Sequence, residues 1–240
     1  MQWSQRHSGF NGFVIVLFNR VIAAAVINAD RNAAVFSGKS LADIFLILFL
    51  QLSAERNLQV VNLTTPAQYF HALRKQLKAP YRKPLIIMSP KSLLRHKRCV
   101  SSMDELADGT FNFVLDDETA KPERVKRLIL CSGKVYYDLA ERREQSGRGD
   151  IAIARVEQLY PFPKKRIREL VNKYRHTEHV VWCQEEPENR GAFSFVRGPI
   201  GDLLSESGRR LEYAGRPRSA SPATGSHTQH TEELEQLLST

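Results

Sequence analysis

From Arg127 onward the sequence repeats one pattern three times, a short apolar run followed by an amphipathic helix, and few folds accommodate that. The units are RLILCSG into KVYYDLAERRE, DIAIARVEQL into PKKRIRELVNKY, and HVVWCQ into GAFSFVRGPIGDLL. In the second helix Ile167, Leu170, Val171 and Tyr174 recur at i, i+3, i+4 and i+7, the spacing of a single core-facing stripe. Such alternation predicts an α/β architecture, a mostly parallel sheet flanked by helices.

Upstream, LQVVNL (58–63) and PLIIMS (84–89) have the length and branching of buried strands. Thr65-Pro66-Ala67-Gln68 predicts a helix start, with Thr65 as cap, Pro66 at the first helical position and Gln68 closing a capping box. That helix is expected to present Phe70, Leu73 and Leu77 on one face. Ser102 and Glu105 form a second capping box, and the irregular stretch FNFVLDDETAKPERVK (111–126) predicts a domain boundary. LEYAGR reads as a last strand, a Pro-, Ser- and Gly-rich segment follows, and TEELEQLLS reads as a closing helix.

Residues 1–48 have a different texture. FVIVLFNRVIAAAVI and LADIFLILFL are apolar, but Asn19-Arg20 splits the first, and the second is short of the roughly 20 residues a bilayer requires. Neither a membrane span nor an export signal is expected.

The 35 Lys and Arg against 26 Asp and Glu leave a net charge of +9, which suits an anionic ligand or an acidic protein as well as a solvated surface. No interleaving of aromatic and basic residues accompanies it, so no nucleic-acid partner is expected. The three cysteines make no C-x-x-C, as in a reduced protein, and His227 and His230 have helical spacing without other ligands, so a polar tail is favoured over a metal site. No phosphate-binding glycine motif, H-E-x-x-H or G-x-S-x-G is present.

In an open parallel sheet, ligands gather at the carboxyl ends of strands. Ser132-Gly133-Lys134 suits an anion at a helix start, though Ser132 serves equally as a simple helix cap. Lys164, Lys165 and Arg166 crowd another helix start, where cations oppose the dipole unless an anion lies among them. VVWCQEEPENRGAF aims Glu185 and Glu186 off a strand; adjacent carboxylates point apart, which favours an interface role over acid–base catalysis.

Together LQVVNLTTPAQYFHALRKQL, RKPLIIMSPKSLLRHKR, CSGKVYYDLAERRE, EQLYPFP, WCQEEPENRGAF and AGRPRSASPATGS resemble the carboxyl-terminal part of the thiamine-diphosphate-dependent first component of 2-oxoglutarate dehydrogenase. The resemblance implies a transketolase-like carboxyl-terminal domain (122–240), preceded by the end of a pyrimidine-binding domain (49–121). Residues 1–48 are unmatched and expected to be disordered or frame-shifted. It further implies a homodimer in a bacterial cytoplasm or mitochondrial matrix, partnered by the succinyltransferase component and working by oxidative decarboxylation of 2-oxoglutarate with succinyl transfer to lipoyl groups. The G-D-G…N motif that holds Mg²⁺ and the diphosphate in that family is absent, since neither Gly149-Asp150-Ile151 nor Gly201-Asp202-Leu203 supplies it. No catalytic or cofactor-binding residue is therefore assigned, and the chain alone is expected to bind no thiamine diphosphate and to be inactive. The alternative is a non-catalytic module that binds acetyl-CoA or AMP, with Arg95, Lys134 and Arg166 as its phosphate contacts, or that docks on an intact complex.

Overall fold

A computed structural model describes residues 12–18, 21–27, 41–90, 92–220 and 227–239. Lys91 and most of the Pro-, Ser- and Gly-rich segment, 221–226, lie outside them; for His227 and His230 only the helical backbone is described.

Strands β1 (Gly12–Phe18) and β2 (Val21–Ile27) form a hairpin, and α1 (Leu41–Gln51) follows. Regular strands thus occupy part of the stretch expected to be disordered. Next come β3 (Gln59–Asn62), α2 (Pro66–Lys78), β4 (Leu85–Ser89), a 3₁₀ turn at Leu93–Arg95, α3 (Met103–Ala107) and β5 (Val114–Leu115). The strand–helix units are β6 (Arg127–Cys131) with α4 (Val135–Ser146), then β7 (Ile151–Val156) and β8 (Gln158–Tyr160) with α5 (Lys164–Lys173). β9 (His179–Pro187) with α6 (Phe193–Ser205) completes the series, and β10 (Leu211–Arg216) and α7 (His227–Ser239) close the chain.

Among the described residues two five-stranded sheets result, ordered β2-β1-β4-β3-β8 and β10-β9-β6-β7-β5. The second is parallel except for β5, as the repeats demand, and its register places Leu130 beside Trp182 and Cys131 beside Cys183. The irregular stretch does not separate the sheets cleanly. β8, downstream of it, pairs antiparallel with β3 of the first sheet, while β5 within it pairs with β7 of the second.

Strand alternation sorts the apolar residues into layers. Val61, Leu85 and Ile87 face α2, whereas Val60, Ile86 and Met88 share a core with Leu128, Leu130, Val156 and Trp182 of the second sheet and with Ile167 and Leu170 of α5. On the far side Ile153, Cys183 and Leu139 lie under Leu237 of α7. The two halves are therefore welded by one apolar core rather than joined by a hinge.

Local signals hold, with two corrections. Thr65 Oγ1 accepts from the Gln68 amide at 3.2 Å, and Ser102 with Glu105 forms a complete reciprocal box. Gln68, however, does not return to the cap: its amide exchanges both hydrogen bonds with the Asn112 backbone, at 2.5 and 3.0 Å. Of the α2 face that carries Phe70, Leu73 and Leu77, Leu73 alone packs against the core. Phe70 and Leu77 are 47% and 50% exposed, while Gln68, His71 and Gln76 are buried. Each buried polar group has a partner, His71 Nε2 meeting the Glu105 carbonyl and Gln76 linking Gln59 to the Lys83 carbonyl. Satisfied hydrogen bonds make that polar stripe tolerable inside.

Candidate functional site

The carboxyl ends of β3, β6 and β7 meet in a polar seam between the sheets, where the parallel topology leads one to look. Glu157 sits at its centre, fully buried between β7 and β8. Its Oε2 accepts from the Thr64 backbone N–H at 3.0 Å and its Oε1 from the Thr64 hydroxyl at 2.5 Å. The same hydroxyl accepts from Arg155 Nη1 at 3.1 Å, so Thr64 bridges the carboxyl and the guanidinium. The Arg155 guanidinium lies 4.1 Å from the Tyr136 ring centre, a stacking cation–π contact. The Thr64 carbonyl takes the Tyr137 hydroxyl at 2.5 Å and the Cys99 thiol at 3.2 Å.

Burial pushes the Glu157 carboxyl up to about 7, and the opposing attraction of Arg155 and the Thr64 hydrogen bonds only partly offsets it. Glu157 therefore exchanges a proton near neutrality while held in a hydrogen-bonded frame. Burial likewise raises the Tyr137 hydroxyl, which stays protonated as a donor.

Gly133 makes the close approach of the sheets possible. It adopts φ +75°, and a Cβ there would lie 2.6 Å from Asn62 Nδ2. Any side chain would combine left-handed strain with a clash. Beside it Asn62 Oδ1 and Ser132 Oγ are buried and have no hydrogen-bond partner among the described residues. Ser132 is thus not the helix cap; the N-cap of α4 is Lys134, with no side-chain cap bond. The seam is polar and closely packed, with two buried oxygens left unsatisfied among the described residues.

Lys134 closes one side. Its ammonium bonds Asp138 at 2.7 Å and Glu185 at 3.1 Å. Burial opposes its charge, but Glu185 and Asp138 outweigh burial and raise its pKa. Glu185 and Glu186 lie inside β9, which runs on to Pro187, rather than beyond its end. Both are half-buried. Past them the chain turns around Gln184, whose Nε2 donates to the Pro187 and Arg190 carbonyls at 3.1 and 2.8 Å. Its Oε1 accepts from Trp182 Nε1 and the Phe193 amide, both at 3.0 Å.

The other flagged cations are dispersed. Arg95 is exposed at the end of the 3₁₀ turn, and Arg166, with a side chain 63% exposed, pairs with Glu169 on α5. No hydrogen bond or ion pair among the described residues links Arg95, Lys134 and Arg166. The residues that do converge, Asn62, Thr64, Arg155 and Glu157, were not singled out. The available signal was two opposite charges inside the apolar strand IAIARVEQL.

The family resemblance implies thiamine diphosphate and Mg²⁺. Among the described residues no three His, Cys, Asp or Glu side chains gather where a metal ion could be held. These side chains thus assemble no metal site among the described residues. No helix of the described residues is long and apolar enough to cross a membrane.

Comparison with known proteins gives concordant matches. A family model described as the 2-oxoglutarate dehydrogenase C-terminal domain matches residues 100–240, and one for the transketolase pyrimidine-binding domain matches residues 34–97. The second match begins inside the stretch expected to be unmatched. The 2-oxoglutarate dehydrogenase E1 component of Azotobacter vinelandii is 50% identical over 193 residues, covering 79% of this chain and 20% of that protein. The Cupriavidus necator E1 component is 50% identical over 191 residues, and that of Brucella anthropi 48% over 204, with the same shares covered. The chain spans about a fifth of the length of the curated relatives it matches.

Proposed function

The chain belongs to the 2-oxoglutarate dehydrogenase C-terminal family, and on that premise we propose that it is the carboxyl-terminal portion of a decarboxylating E1 component that supplies framework rather than the catalytic centre. The observation that carries this reading is the seam. Glu157, Thr64 and the Asn62–Gly133 contact lock the pyrimidine-binding remnant to the last sheet, and among the described residues no cluster of metal-ligating side chains accompanies them. In the reaction of the family, oxidative decarboxylation of 2-oxoglutarate with transfer of a succinyl group to lipoyl arms, thiamine diphosphate supplies the carbanion chemistry. This chain holds geometry and contributes no reacting group.

Homodimerisation and association with the succinyltransferase component belong to the same proposal. The outward Phe70 and Leu77 of α2 support a subunit contact, since exposed apolar side chains grouped on one helix mark interaction surfaces.

The test is direct. The purified chain is mixed with 2-oxoglutarate, thiamine diphosphate, Mg²⁺ and an artificial electron acceptor, and carbon dioxide release is followed beside calorimetric titration of the cofactor. Neither turnover nor saturable cofactor binding is expected. Decarboxylation by the unaided chain would overturn the proposal.

A further inference from the structure

Away from the seam, α2 borders an open cleft of about 860 Å³ whose lining also includes Phe111 and Phe113. Lys75 lines this cleft. Its Nζ donates to Gln59 Oε1 and Gln158 Oε1, each at 3.0 Å, and lies 4.8 and 4.6 Å from the centres of the Phe111 and Phe113 rings. The glutamine oxygens are held toward it because Gln59 Nε2 is committed to Gln76 and Gln158 Nε2 to the Pro161 carbonyl, both at 2.8 Å. A neutral amine has two N–H groups, so deprotonation sacrifices neither hydrogen bond and frees one lone pair. Burial also lowers the Lys75 pKa to about 8. The titratable groups around the cleft are His71, Arg74 and Lys78 on the same helix, Tyr81 beyond it and Asp108 opposite. Arg74 and Lys78 make no ion pair among the described residues.

We propose that Lys75 is a covalent acylation site, accepting an acyl group from an acidic thioester whose anionic part rests against Arg74 and Lys78. The Nζ lone pair attacks the thioester carbonyl carbon. A C–N bond forms, the C–S bond breaks, the sulfur departs as thiolate with the bonding pair, and the proton lost from nitrogen passes to water; nothing is oxidised or reduced. The amide product has a single N–H, so one of the two glutamines loses its donor. Lys75 ties α2 to both β3 and β8, and acylation therefore removes one of those two ties.

The experiment uses the whole chain and two probes that transfer the same acetyl group, the S-acetyl derivative of 3-mercaptopropionate and its neutral methyl ester. Acetylation at each lysine is followed by peptide mass spectrometry from pH 6 to 10. The Lys75 rate is expected to level off above about pH 8, whereas ordinary solvent lysines keep gaining up to about pH 10. At Lys75 the acid probe should outpace its ester by about threefold, the worth of an exposed ion pair, and the Arg74→Ala/Lys78→Ala variant should erase that preference. A Lys75 profile that climbs with the solvent lysines, or equal rates for the two probes in the wild-type chain, overturns the proposal. Should the double variant fail to fold, the wild-type profile and probe ratio decide alone.

Discussion

Replacing Glu157 with glutamine should abolish a pH dependence of stability that the wild-type chain carries. The folded carboxyl titrates at about 7 against an ordinary value of 4.5. Between those values the native state holds a proton that the unfolded state has released, so stability falls as pH rises and stops falling above about 7. The interval of roughly 2.5 pH units corresponds to about 3 kcal/mol. Glutamine preserves shape: its Oε1 still accepts from the Thr64 amide, and its Nε2 donates to a Thr64 hydroxyl that has a free lone pair. Urea unfolding of both chains at pH 5, 6, 7 and 8 cancels every other titration in the difference. The wild type should lose between about 2 and 3 kcal/mol relative to Glu157→Gln across that range, most of it below pH 7. Parallel profiles would refute the picture of a buried carboxyl held neutral by its surroundings.

Gly133→Ala should cost about 2 kcal/mol, because the new methyl meets Asn62 at 2.6 Å in a left-handed conformation; calorimetric melting reads this as a lowered Tm. Gln184→Leu strands the Trp182 indole N–H and the carbonyls of Pro187 and Arg190, with an expected loss of about 3 kcal/mol in denaturant midpoint at unchanged slope. Asp117 behaves oppositely to Glu157. Burial alone would raise its carboxyl, but bonds from the Ile153 amide, Thr119 and Arg143 outweigh burial and hold its pKa below the ordinary value. Its contribution is present at neutral pH and lost as pH falls below about 4, so Asp117→Asn should flatten the acid limb of an unfolding profile followed by circular dichroism.

Strands, helices and their parallel order were legible in the chain itself, because periodicity and caps act over a few neighbours. The stripe on α5 and the boxes at Thr65 and Ser102 could be located from spacing alone, though Gln68 left its box for Asn112, a partner far along the chain. Family membership was legible too, in motifs that run in order from the first strand of the pyrimidine-binding remnant to the last of the sheet. Tertiary structure alone decided which charges matter. Arg155 and Glu157 read only as two opposite charges within an apolar strand until β3 ends beside β7 and brings Thr64 between them. It also decided which face of α2 turns inward, since Gln68, His71 and Gln76 find partners on distant segments while Phe70 does not. Desolvation and hydrogen-bond satisfaction depend on everything packed around a group, and no local window of residues contains that information.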